Sequence, residues 1–155
     1  MNEPTLVPHN ITTHYPVQAN VPESWGQWLN EYDWSHYCTL TFQREATIDG
    51  ASRQFHRFVR RLERRNQRAV TWFMVIERGG GGWLHIHSLL GATNTLPNKS
   101  VDLAWTAGIT DVQTYDSQRG ATHYITKDIT SEATFWDISK NLKGAHKQLT
   151  PSVKR

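Results

Sequence analysis

The chain has 155 residues, 37% hydrophobic and 20% charged, with seven Trp, one Cys and a formal charge of +3; its mean hydropathy is −0.61 and its isoelectric point about 9.2. A chain of this length can bury one core without a structural metal. The single Cys excludes an internal disulfide framework, and no Cys/His spacing suggests a zinc module. No apolar run reaches the roughly 18 to 20 residues of a membrane span, and Met1-Asn2-Glu3-Pro4 lacks the regions of a secretory signal, so a soluble intracellular domain is expected.

Residues 1–22 hold four of the six Pro and no apolar period, and read as a flexible arm. The folded domain is expected over 23–140, with a polar tail over 141–155. Trp25, Trp28, Leu29 and Tyr32 recur at helical spacing and predict a short helix. Residues 35–42 read as a strand, with His36, Cys38, Leu40 and Phe42 on one face and Tyr37, Thr39 and Thr41 on the other. Asp49-Gly50 reads as a break. Phe55, Phe58, Val59 and Leu62 then mark an amphipathic helix running to about Arg68. Residues 71–77 and 83–90 read as two strands of a hairpin joined through Gly79-Gly80-Gly81-Gly82. A short helix over 98–107 ending at Gly108, a strand over 109–115 and a helix from Gly120 to about Ile129 complete the order. No internal repeat is present.

Positive charge is concentrated rather than spread. Seven Arg lie between Arg53 and Arg68, opposed there only by Glu63. Such a field favours a polyanion, usually nucleic acid. The same helix is expected on the covered side of a sheet, so most of these arginines read as a solvated face, with one or two touching duplex DNA. Arg44, just after the first strand, is the better DNA-contact candidate.

Chemistry concentrates in the hairpin. Side chains two apart on a strand share a face, so His85 and His87 project together while Leu84 and Ile86 face the core. Two adjacent imidazoles can ligate a metal. Glu77 closes the preceding strand. An odd loop such as 80–82 makes Glu77 and His85 cross-strand neighbours on one face, whereas an even loop sends Glu77 to the other face unless a bulge intervenes. A His/His/Glu set with open positions suits Mg²⁺ or Mn²⁺. Downstream, Tyr124 and Lys127 are one helical turn apart and share a face, with Asp128 beside them. A phenol is a poor nucleophile at neutral pH, and a nearby ammonium favours its phenolate.

Taken in order, Cys38-Thr39-Leu40-Thr41-Phe42, then Glu77 with His85-Ile86-His87-Ser88-Leu89-Leu90, then Tyr124-Ile125-Thr126-Lys127 resemble the three motifs of the HUH endonucleases. Among these the chain looks like the single-tyrosine replication initiators (Rep proteins) of rolling-circle plasmids, phages and small single-stranded DNA viruses. The resemblance spans about Ser35 to Ile129. It implies an α+β fold, a compact antiparallel sheet of about five strands with helices mainly on one face and the metal-bearing face open. It also implies Glu77, His85 and His87 as ligands of Mn²⁺ or Mg²⁺, Tyr124 as the nucleophile, and Lys127 as its lysine partner. Family members nick single-stranded DNA at an origin, sometimes a hairpin, and rejoin it through a 5′-phosphotyrosine. Tyr37, Trp83 or Phe73 would then stack on unpaired bases.

No Walker-type motif is present, so the chain reads as either a nuclease-only protein or a fragment of a longer one, with host replication proteins such as a helicase as candidate partners. Tyr115 is nine residues from Tyr124, which favours one nucleophile. A monomer is expected, in a bacterial or phage-host cytoplasm, or in the host nucleus for a eukaryotic virus. A single-tyrosine transposase and a noncatalytic single-stranded nucleic-acid-binding module are the alternative readings.

Overall fold

Strand residues sort alternately onto two faces, and here both faces are apolar over much of their area, so both need cover. The computed structural model describes residues 21–127 and 135–142. Its elements are α1 (Val21–Leu29), β1 (His36–Thr41), α2 (Ile48–Asn66), β2 (Thr71–Arg78), β3 (Leu84–Gly91), α3 (Asn98–Ala104), β4 (Thr110–Thr114), α4 (Ala121–Thr126) and β5 (Phe135–Ile138). The strands form one antiparallel sheet in the order β4-β1-β3-β2-β5. This is the expected α+β architecture. Among the described residues no helix is long and apolar enough to cross a membrane.

On the first face, Phe55, Phe58, Val59 and Leu62 of α2 are buried with Cys38, Leu40, Met74, Ile76, Ile86 and Leu90, and α3 adds Val101 and Ala104. Asp49-Gly50 is not a break. Thr47 caps α2 by accepting the Gly50 N–H at 3.0 Å, and Asp49 sits in the first turn, where a carboxylate suits the positive helix end. The cap outweighs the turn preference of Asp-Gly. At the other end Gln67 takes a left-handed conformation (φ 54°) and stops the helix before Arg68. The next helix, α3, also ends early. Trp105 turns extended, and its indole N–H donates to the Thr41 carbonyl at 2.9 Å.

On the second face, α1 and α4 cover Phe73, Val75 and Leu89 with Trp25, Trp28, Leu29 and Ile125. This face is therefore open only in part. Phe73, expected as an exposed stacking aromatic, is fully buried against Trp25 and Trp136. The reason lies in β2, whose residues from Trp72 to Ile76 are all buried and leave no polar face there.

Strand β5 was not legible in sequence, because four residues are too few for a clear alternation. It extends the β2 edge, with Val75 opposite Trp136 and Phe73 opposite Ile138. Two expected boundaries also move. Val21 and Pro22 belong to α1. Asn141 donates to the Val70 carbonyl at 3.2 Å and Leu142 is buried, so both belong to the packed body rather than to a tail. The rest of the expected arm and tail, and Asp128 and Ile129, lie outside the described residues.

Candidate metal centre

The hairpin connection decides where Glu77 points. Gly79 donates to the Trp83 carbonyl at 2.8 Å and Gly82 donates to Gly79 at 2.9 Å, which closes a three-residue turn over 80–82. Gly82 has φ +81°, a conformation that glycine adopts without strain. The odd count sets Glu77 opposite His85. On its other side β3 pairs with β1, placing Thr39 opposite His87 and Thr41 opposite His85. Glu77, His85, His87, Thr39 and Thr41 therefore share the second face, beyond the part covered by α1.

The ligand atoms converge. Glu77 Oε1 is 2.9 Å from His85 Nε2 and 2.7 Å from His87 Nε2, and the three donors lie within 4.8 Å of one another. The other ring nitrogen of His87, Nδ1, is 3.1 Å from the Tyr37 hydroxyl and 3.3 Å from the Thr39 hydroxyl. An Nδ1–H donated to either oxygen leaves the Nε2 lone pair directed at the cluster. That Nε2 is buried and, although close to Glu77, has no partner in hydrogen-bond geometry. A buried imidazole nitrogen without a hydrogen bond, facing a second imidazole and a carboxylate, fits a cation held between them.

Electrostatics agree with that fit. Burial pushes the His87 pKa down against the opposing pull of Glu77, which keeps the ring neutral and able to ligate. Burial alone would raise the Glu77 carboxyl; the hydrogen bond from His85 and the charges of both imidazoles outweigh it and hold the carboxyl below its ordinary value. Burial, then the neighbouring Tyr124, pushes the Tyr37 phenol upward, so Tyr37 stays a neutral hydrogen-bonding group.

Tyr124 reaches this centre because α4 packs closely on α1. A Cβ on Gly26 would stand 2.5 Å from His123 Nδ1, so the His123 ring lies directly over the bare backbone of α1 at this glycine. Thr122 donates to Asn30 Oδ1 at 2.7 Å, Tyr115 donates to the same oxygen at 3.3 Å, and Ile125 is buried beneath. Seated in this way, Tyr124 is 49% exposed and meets the His87 ring edge-on, centroids 5.5 Å apart. Lys127 Nζ lies 3.8 Å from the centre of the Tyr124 ring, a cation–π contact.

The remaining sequence candidates divide. Tyr37 lies parallel to His87, the rings 5° apart in tilt with centroids 6.1 Å apart, and its hydroxyl is 3.1 Å from that imidazole. Trp83 is half exposed at the hairpin tip, and Arg44 is exposed three residues past Thr41, both near the ligand end of the sheet. Tyr115 lies at the opposite end, where its N–H bonds Ser35. Three residues were missed: Thr39, which holds His87, and Gly26 and Asn30, which seat α4. Thr39 was signalled by its place on the Tyr37–Thr41 face. Nothing in the local sequence marks Gly26 or Asn30, whose importance comes from a long-range helix contact.

No curated protein and no solved structure matches the chain. A family model does, that of the ORF2-type replication-associated proteins, over residues 35–133. The matched region contains β1, the hairpin with its three converging ligand atoms, and the α4 tyrosine. The chain belongs to this ORF2-type replication-associated protein family.

Proposed function

We propose that the protein is an HUH-type, single-tyrosine endonuclease that nicks and rejoins single-stranded DNA at a replication origin to initiate rolling-circle replication. The observation that carries this reading is the convergence of Glu77, His85 and His87 beside the exposed phenol of Tyr124. A replication-associated family is what such an activity would serve.

Glu77, His85 and His87 would hold Mn²⁺ or Mg²⁺, leaving positions for phosphate oxygens. When bound, the ion supplies Lewis-acid stabilisation of charge on the scissile phosphate. Tyr37 and Thr39 keep His87 in the ligating tautomer. Tyr124 attacks phosphorus through its hydroxyl oxygen, and the phenolic proton passes to water. The bond from phosphorus to the 3′ oxygen breaks, its electron pair stays on that oxygen, and a proton from water completes the 3′ hydroxyl. The products are a 5′-phosphotyrosine at Tyr124 and a free 3′ end, and the reverse attack by a 3′ hydroxyl rejoins the strand. The Lys127 ammonium, held 3.8 Å from the ring centre, would offset negative charge that develops as the phosphate is attacked. Arg44 and Trp83 are the candidate contacts to the strand, by charge and by base stacking. Ligands and phenol come from one chain, so the reaction requires no second copy.

The test is incubation with a labelled single-stranded oligonucleotide library, with and without Mn²⁺, followed by denaturing electrophoresis. A Mn²⁺-dependent protein–DNA adduct that disappears in Tyr124→Phe is expected. Sequence-tolerant binding with no adduct at any metal concentration would favour the noncatalytic binding module and sink the proposal.

A further inference from the structure

The structure divides the seven arginines of the 53–68 segment into two groups. Three are tied to backbone oxygens: Arg61 donates to Ala104 at 3.2 Å, Arg65 to Ser100 at 2.6 Å and Arg68 to Ala92 at 3.0 Å. These join α2 to α3 and to the chain after β3. The other four, Arg53, Arg57, Arg60 and Arg64, are exposed and recur at i, i+4, i+7 and i+11. At 100° per residue they fall within a narrow stripe on the side of α2 opposite Phe55, Phe58 and Leu62. No described carboxylate pairs with any of them. Glu63, beside the stripe, accepts the Val70 N–H at 3.1 Å. Arg57, Arg60 and Arg64 border a concavity of about 440 Å³.

Like charges at this spacing on one face destabilise a helix. An uncompensated stripe therefore opposes folding, and it is better accounted for by an anionic partner. We propose that the outer face of α2 is a docking surface for the backbone of duplex DNA. The inference rests on the nuclease reading for its biological setting, because it gives the flanking duplex a seat on the sheet face opposite Tyr124. The stripe is roughly 16 Å long, the axial length of about five base pairs. Its geometry selects duplex over single strand, since every Phe of α2 faces the core and no Phe, Tyr or Trp stands among the arginines to stack on bases. It selects nucleic acid over membrane, since no apolar side chain stands among the four arginines to enter a lipid surface.

The experiment is fluorescence anisotropy of the full chain with a 20-base-pair duplex of arbitrary sequence, in parallel with anionic phosphatidylserine vesicles, over 50–200 mM NaCl and without divalent metal. Four phosphate contacts predict an affinity loss on the order of 100-fold across that salt range. The triple variant Arg57→Gln/Arg60→Gln/Arg64→Gln should flatten the log–log salt slope by about 2.7, while the corresponding Arg→Lys triple variant should retain most of the binding. Duplex binding unchanged in the Gln variant would overturn the proposal, as would arginine-dependent binding to vesicles but not to duplex. The nuclease reading fails separately: arginine-dependent duplex binding without any covalent adduct leaves this surface standing, whereas an adduct with arginine-independent duplex binding removes it alone.

Discussion

Removing the two hydroxyls that hold His87 tests whether its orientation was built for a metal. In Tyr37→Phe the 3.1 Å contact to Nδ1 is lost and the 3.3 Å contact from Thr39 remains; in Tyr37→Phe/Thr39→Val both are gone. Loss of an outer partner of a ligating histidine typically lowers metal affinity by about 10- to 100-fold, or roughly 1.4–2.7 kcal/mol. Because either hydroxyl can serve the same Nδ1–H, the single variant should lie near the lower end and the double variant near the upper. Calorimetric titration with Mn²⁺ measures this directly, and near-ultraviolet circular dichroism checks that the buried Trp cluster is intact. A folded double variant binding Mn²⁺ within twofold of the wild type would refute the idea that these hydroxyls set the His87 tautomer.

Other consequences are equally specific. Asn30→Ala should lower covalent adduct formation by about fivefold, the equivalent of one ordinary hydrogen bond, while leaving Mn²⁺ affinity unchanged, because it removes the oxygen that accepts from Thr122 and Tyr115 beside α4 and not the hairpin ligands; a parallel loss of metal binding would count against this. Thr47→Ala removes the α2 cap and should lower stability by about 1 kcal/mol in urea titration, with no effect on Mn²⁺ binding. His36 is buried beside Thr93, and burial lowers its pKa below the ordinary 6.5 despite opposing hydrogen bonds. Its neutral form is the stable one in the fold, so its contribution is complete above about pH 6.5 and is lost as pH falls through the lower folded value. The urea midpoint should thus decline on acidification below about pH 6.5, and His36→Gln should reduce that dependence; an unchanged pH profile would contradict it.

Local patterns were enough to place most of the sheet. The alternation in 35–42 separated Tyr37, Thr39 and Thr41 from His36, Cys38 and Leu40, and the i, i+3, i+4, i+7 spacing of Phe55, Phe58, Val59 and Leu62 located the buried stripe of α2. The ligand set was legible up to a parity. Glu77 would meet His85 only through an odd turn, and the choice was made by Gly82 adopting a left-handed conformation, which four consecutive glycines permit but do not specify. The cover over Phe73 was less accessible, because a continuously apolar strand does not say which elements bury its second face. Nor did the sequence distinguish the arginines bonded to α3 from those left outward, since that depends on where the Ala104 and Ser100 carbonyls lie. These misses share one cause: they are fixed by contacts between elements distant in the chain.

In the function proposed here, Glu77, His85 and His87 assemble a metal centre for attack by Tyr124. Trypsin digestion of the Mn²⁺-dependent adduct, with the nucleotide-bearing peptide mapped by mass spectrometry, tests this assembly. Cleavage after Arg119 and Lys127 isolates residues 120–127, in which Tyr124 is the only phenol. A 5′-phosphonucleotide is expected on that tyrosine, and none when His85 and His87 are replaced by Ala. Nucleotide on any other peptide, or an adduct that survives loss of both histidines, would contradict it.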